Sequence, residues 1–222
     1  MLCSFSSCSS DEPSNPDGED EVFVLGSEIG IFFSQEVDLG LSVKWAGWNV
    51  GASSPEEYGG YYAWGETEEK DVYYASTYKY YYDTNGDEEG DTYANIGNNI
   101  SGTQYDVARQ KWGNNWRMPT CDEFNELIIN CTWIWASYKG THGYMVTGPN
   151  GNSIFLPLAG FRHDTSLYSG GAYGAYWSGT LYEDEYEYIN SYARNIFFIG
   201  NYRDLSLYGY GRHLGLTVRP VK

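Results

Sequence analysis

Basic side chains are scarce in this chain. Thirteen Lys and Arg stand against 30 Asp and Glu in 222 residues, a formal net charge of -17 with His neutral. A surface this acidic repels phosphate backbones, which argues against a DNA or RNA partner. Histidine is scarcer still, at 3, and the 4 cysteines form no dense group, which argues against a zinc site. Long apolar runs are missing as well. No stretch approaches the roughly 18 consecutive apolar residues that a spanning helix needs.

Aromatic surface, by contrast, is plentiful. Eight Trp, 23 Tyr and 9 Phe make up 18% of the residues, and hydrophobic residues reach 41%. That supply can build a core, which excludes whole-chain disorder, and the length suits one generous domain. Charge is unevenly placed. Residues 1–43 carry nine acids and no Lys or Arg, whereas residues 151–222 balance six acids with six bases. Ten of the 23 tyrosines fall within residues 168–210, interleaved with Gly, Ser, Asn and Asp. Tyrosine offers a rigid face with a polar tip, and small polar residues adapt around it, so this composition suits a binding surface. Tyr-rich strands that fill a β-rich interior would have the same composition.

Residues 4–20 are polar, acidic and Pro/Gly-bearing, which predicts a flexible tether ahead of a single domain over residues 21–222. Cys8 follows Phe5-Ser6-Ser7 and precedes Ser9-Ser10-Asp11-Glu12. This pattern resembles the end of a bacterial lipoprotein signal, in which the Cys becomes the lipidated N-terminus. The acidic run after it resembles the signal that sends Bacteroidetes lipoproteins to the outer face of the cell. The resemblance implies lipidation at Cys8 and an outer-membrane location in a Gram-negative bacterium. The apolar segment before the Cys shrinks to Met1 to Phe5, which implies a start codon assigned too late or a trimmed chain. A free Cys in a disordered tail is the alternative.

Short apolar runs at 21–25 and 29–33 read as strands. From Val37 to Trp45 apolar residues alternate with Asp38, Gly40, Ser42 and Lys44, predicting a strand with one buried face. Residues 47–65 show neither period and read as an aromatic loop packed on the core. A short helix is expected over Asp106 to Trp112, with Val107 and Trp112 inward and Gly113 as its stop. Thr120-Cys121-Asp122-Glu123 is a capping box, followed by a Phe124, Leu127, Ile128 stripe. Residues 143–147 and 153–156 flank Gly148-Pro149-Asn150-Gly151 and predict a hairpin. Further strands are expected at 175–180, 193–199 and 214–218, with turns or loops at 183–187 and 200–204, making an α+β domain. A helix between Cys121 and Cys131 would hold them ~15 Å apart, too far for a disulfide unless it ends early. Cys131 is expected to be buried and Cys121 a partly exposed free thiol.

Asp83, Asn85 and Asp87 match the first, third and fifth positions of a calcium loop. Glu88 stands where that loop wants Gly and Ala94 where it wants Glu, so a solvated acidic turn competes with calcium, the one cofactor considered. His142, His163 and His213 are scattered, with no Ser or Cys elbow nearby. The acidic run at 183–187 reads as a solvated turn rather than a paired catalytic site, and Arg117 as a structural ion-pair or carbonyl-binding residue. No catalytic residue is assigned.

Several ordered blocks carry a family resemblance. They include Leu39-Gly40-Leu41-Ser42-Val43-Lys44-Trp45, Tyr62-Ala63-Trp64-Gly65-Glu66-Thr67, Trp116-Arg117-Met118-Pro119-Thr120, Gly148-Pro149-Asn150-Gly151-Asn152 and Val218-Arg219-Pro220-Val221. Over residues 37–222 the chain resembles the Fibrobacter succinogenes major paralogous domain. The resemblance implies a C-type lectin-like fold, similar to the formylglycine-generating enzyme family, with two short helices, several short antiparallel strands and long irregular loops. It implies a surface or secreted protein but no fixed activity. No Cys follows Cys131, which excludes the C-terminal cysteine chemistry of the sulfatase-activating relatives. The Glu-Pro-Asn or Gln-Pro-Asp and Trp-Asn-Asp motifs of calcium-dependent lectins are also missing.

The segment from Tyr168 to His213 also looks like the display surface of C-type lectin-like proteins diversified by retroelements. That likeness nominates Tyr182, Tyr186, Tyr188, Asn190, Tyr192, Asn201, Tyr202, Tyr208, Tyr210 and His213 as ligand contacts. Ile196, Phe197, Phe198, Leu214, Leu216 and Val218 would form the scaffold beneath. The expected function is a lipid-anchored surface module that binds a glycan or protein ligand without catalysis. A structural or pilus-associated envelope protein is the alternative, and a hydrolase the third reading. The membrane is expected as a partner only through the lipid.

Overall fold

The computed structural model describes residues 23–24, 35–82, 92–113, 115–183, 190–200 and 205–222. Among them the chain forms an α+β fold of thirteen strands and two short α-helices. In chain order these are β1 (Phe23–Val24), β2 (Glu36–Val37), β3 (Trp45–Ala46), β4 (Tyr81–Tyr82), β5 (Thr92–Tyr93), α1 (Val107–Trp112) and α2 (Cys121–Asn130). There follow β6 (Thr132–Tyr138), β7 (Thr141–Thr147), β8 (Ser153–Pro157), β9 (Phe161–His163), β10 (Ser166–Tyr168), β11 (Tyr173–Leu181), β12 (Tyr192–Ile199) and β13 (Leu205–Gly211). They make an open four-stranded sheet in the order β1-β6-β7-β8, an open three-stranded sheet β11-β12-β13, and three two-stranded pairs. All pairings between these strands are antiparallel except β1 with β6.

Local chemistry explains where both helices begin. The Asp106 carboxylate caps α1 by accepting from the amides of Ala108 and Arg109, and its other oxygen accepts from Gly102 and Met118. Four N–H donors satisfy one buried carboxylate and tie α1 to the strand-like segment before α2. At α2 the capping box forms as expected, with Thr120 Oγ1 accepting from the Glu123 amide and Glu123 Oε2 accepting from the Thr120 amide. Phe124 and Leu127 are buried and Ile128 is half-buried. In α1 it is Val107 and Ala108 that turn inward, while Trp112 is half-buried against Trp116.

Two expected strands are corrected. Residues 37–45 bury Val37, Leu39 and Trp45 with the predicted alternation, yet they do not run straight. Gly40 adopts φ 76° and its amide donates to Asp38 Oδ1, so the chain turns and Val37 pairs back onto Trp45. Residues 214–218 form isolated bridges instead of a ladder, because Gly215, Leu216 and Thr217 pair with three different segments, at Arg162, Tyr62 and Tyr176. The GPNG hairpin forms between β7 and β8, with Gly151 at φ 86°. Both described cysteines are free thiols and half-buried, so Cys131 is less enclosed than expected. Of the two N-terminal runs, Phe23–Val24 is a strand, and 29–33 lies outside the described residues.

The three-stranded sheet is the middle layer. One face packs Tyr176, Ile196 and Phe198 against Trp133, Tyr144, Val146 and Leu156 of the other sheet and against Phe124 of α2. The opposite face packs Ala175, Trp177 and Ala193 under the irregular segments that carry Val50, Tyr62, Trp64, Leu216 and Val218. Residues 47–65 are thus loop-built core, as their aromatic content predicted. Arg219 locks the layers together. Fully buried, it donates to Asn49 Oδ1 at 2.7 Å, to the Ala46 carbonyl at 3.1 Å and to the Phe155 carbonyl at 2.9 Å. Burial draws its guanidinium down to about 10.

Candidate binding face

Strand alternation sorts the side chains of β12 and β13 onto two faces. Ile196, Phe198, Leu205 and Leu207 take the inner face, and Asn195, Phe197, Ser206, Tyr208 and Tyr210 take the other, in register with one another. Over β11 that second face is roofed by the Leu216 and Val218 segment. Beyond the roof it opens, and aromatic rings line it. Phe197 meets Tyr173 at 5.4 Å, Tyr208 at 5.8 Å and Tyr210 at 6.0 Å between ring centroids.

The β9–β10 hairpin extends the band. Phe161 meets Tyr210 at 5.4 Å and stacks on its cross-strand partner Tyr168 at 5.8 Å and 15°. Tyr168 then meets His163 at 5.9 Å, and His163 meets Tyr74 at 5.2 Å. Edge-to-face and stacked pairs of this kind hold rings rigid. The outer members reach solvent: Tyr208 is 53% exposed, Tyr168 45%, Tyr74 44% and the neighbouring Leu167 42%. Three of the eight large hydrophobics that the described residues expose, Tyr74, Tyr168 and Tyr208, therefore lie on one continuous strip. Beneath the rings, Asn195 Oδ1 and Ser206 Oγ are buried without a hydrogen-bond partner among the described residues.

The predicted contact residues divide among three places. Tyr208 and Tyr210 belong to the band, and burial raises the Tyr210 hydroxyl above its ordinary range. Tyr182 lies on the inner-face side of β13, seated where a side chain at Gly209 would stand, with the Arg194 guanidinium 4.2 Å from its ring centroid. Tyr192, 44% exposed, meets Tyr182 at 6.5 Å. Asn190 and His213 are half-buried. The Asn190 carbonyl accepts from Arg212 Nη1 at 2.7 Å. His213 packs on Gly211 with Nδ1 unpartnered among the described residues, and burial, aided by His163 and Lys70, lowers its pKa to about 4. Tyr186, Tyr188, Asn201 and Tyr202 lie outside the described residues, as do Asp83, Asn85 and Asp87 of the calcium motif and Cys8.

Sequence reasoning missed Phe161 and Tyr74, included Tyr168 and Tyr173 in the display segment without naming them as contacts, and placed Phe197 beneath the surface. The period-two pattern of β12 contained part of the signal: Phe197 and Phe198 are neighbours and must face opposite ways. Also missed was Arg212, fully buried among Trp64, Tyr78 and Tyr93, with its Nε donating to Tyr78 Oη at 2.9 Å. Arg117 behaves as expected, pairing with Glu123 at two points. Among the described residues no three Asp, Glu, His or Cys side chains converge to hold a metal ion. Comparison with protein-family models, curated proteins and solved structures finds no match.

Proposed function

We propose that this chain is a non-catalytic recognition module that holds a glycan or protein ligand against its aromatic band. The observation that carries the reading is the unbroken run of ring contacts from Tyr208 through Phe197, Tyr210, Phe161, Tyr168 and His163 to Tyr74. Exposed apolar patches rimmed by polar groups mark interaction surfaces, and rigid tyrosines contribute contact area at low ordering cost. The test is an array of glycans and extracellular proteins probed with the full chain. The Tyr168→Ala, Tyr208→Ala double variant is expected to lose about tenfold or more in affinity with its melting temperature unchanged. Unaltered binding would place the contact surface elsewhere.

Display at the outer face of a Gram-negative cell through a lipid on Cys8 belongs to the same reading, supported by the residues around that cysteine. Mass spectrometry of the membrane-extracted protein tests it, since an unmodified peptide through Cys8 excludes the anchor. Membership of the Fibrobacter succinogenes major paralogous domain family, with its C-type lectin-like fold, is likewise supported by the ordered residue blocks.

A structural or pilus-associated envelope role is the second reading. It is favoured by the tyrosines whose hydroxyls are committed to the interior. Tyr61, Tyr73, Tyr78 and Tyr176 donate to the carbonyls of Ala159, Tyr61, Trp64 and Pro157 at 2.5–2.6 Å.

A further inference from the structure

Apart from the aromatic band, the Gly65 to Lys70 turn, the Thr77 to Tyr80 segment and the Gln104-Tyr105 corner enclose an open cleft of about 620 Å³. Clefts of roughly 300–1,000 Å³ are the usual size for small ligands. Its chemistry is fixed by Glu66. One carboxylate oxygen accepts from Lys70 Nζ at 3.0 Å and from the Lys79 amide at 2.8 Å, and the other lies 2.9 Å from Lys70 Nζ. Lys70 also donates to the Thr77 carbonyl at 3.1 Å. An acceptor and an ammonium are thereby held side by side, and the second oxygen keeps a lone pair for a further donor.

The lining excludes most ligand classes. Three glutamates and two lysines line the cleft, and Lys70 is already paired with Glu66, so the lining has no surplus of positive charge to hold an anion. A ligand cation finds its places taken, because Lys70 neutralises Glu66 and the Lys79 ammonium already lies 5.5 Å from the Tyr80 ring centroid. The carboxylates are engaged separately: Glu68 pairs with Lys111 and Glu69 accepts from the Tyr61 amide. A neutral molecule with many hydroxyls fits what remains. Each hydroxyl both donates and accepts, so two neighbouring ones can answer a carboxylate and an ammonium together. The exposed Gln104 amide adds both functions, and Tyr80 and Tyr105, edge-to-face at 5.6 Å, supply apolar wall.

We propose that this cleft is a binding site for a neutral pyranoside, read through the Glu66–Lys70 pair and Gln104. The proposal does not depend on the aromatic band. It is tested by saturation-transfer NMR on the full chain with methyl glucoside, galactoside, mannoside and xyloside. N-Acetylneuraminate and tetramethylammonium serve as charged controls. At least one neutral glycoside is expected to bind, with affinity lowered about five- to tenfold by Gln104→Ala and by Glu66→Gln, and unchanged by Ile129→Ala on the exposed side of α2. Gln104 is exposed, so its variant decides the matter even where Glu66→Gln unfolds the turn. Binding by none of the neutral glycosides, binding by a charged control alone, or loss in Ile129→Ala without loss in Gln104→Ala would each overturn the proposal.

Discussion

Arg117 and Glu123 grip each other at two points, Nη1 to Oε2 at 2.8 Å and Nη2 to Oε1 at 2.5 Å, across the first turn of α2. The same carboxylate accepts from the Thr120 amide, so one side chain completes both the helix cap and the ion pair. Burial opposes the charge on Glu123, but Arg117 and the cap outweigh it and hold the carboxyl below its ordinary value of 4.5. The stabilisation is therefore full above about pH 4.5 and fades as pH falls through the lowered folded-state value. Glu123→Gln is expected to cost about 1.5–3 kcal/mol at neutral pH and much less in strong acid. Urea melts at the two pH values measure this.

His213 titrates in a different window. Its folded-state value of about 4 lies below the ordinary 6.5, so the unfolded chain takes up a proton that the folded chain refuses. Stability from this source is complete above about pH 6.5 and declines as pH drops toward 4. The His213 ring proton should titrate near pH 4 by NMR, and His213→Gln should flatten the pH dependence between 6.5 and 4. A ring titrating near 6.5 would mean that the side chain is open to water.

Arg219 has no conservative replacement. Its guanidinium reaches three acceptors in three directions, which a single ammonium cannot do. Arg219→Lys and Arg219→Met should each lose about 3–5 kcal/mol in chemical denaturation, because buried carbonyls lose their donors.

Packing predicts a contrast on α2. Phe124 is fully buried and meets Trp45 at 5.5 Å between ring centroids, whereas Ile129 is 68% exposed. Phe124→Ala should cost about 3–5 kcal/mol. Ile129→Ala should stay within about 0.5 kcal/mol of the parent.

The seat of Tyr182 can be tested by a double-mutant cycle. A Cβ at Gly209 would stand 2.6 Å from the Tyr182 ring. Gly209→Ala is therefore expected to cost about 1–3 kcal/mol alone, and much of that penalty should vanish when Tyr182 is also replaced by Ala. An undiminished penalty would show that the cost comes from the strand and not from the ring.

Short-range chemistry was legible before any coordinates. Thr120 to Glu123 and Asn150-Gly151 each span a few residues, so their hydrogen bonds or turn geometry follow from spacing, whereas Asp106 was counted into α1 and proves to be its cap. Alternation was legible as burial but not as shape: Val37, Leu39 and Trp45 are buried although the chain between them turns at Gly40. The β9–β10 hairpin and β13 were missed because Ser166, Tyr168, Ser206 and Tyr208 read equally well as loop residues. Their strand character comes from pairing partners, not from propensity.

By itself the sequence determined the acidic balance, the helix starts, the GPNG hairpin and the need for an aromatic interior, since each depends on composition or on neighbours within a few positions. Only the tertiary structure decided which tyrosines became core and which became surface. Phe161 meets Tyr210 and Tyr62 pairs with Leu216 across long stretches of chain, and such contacts depend on how the layers stack. A tyrosine's composition is the same in both places; the free energy of burying its ring and finding a partner for its hydroxyl is not.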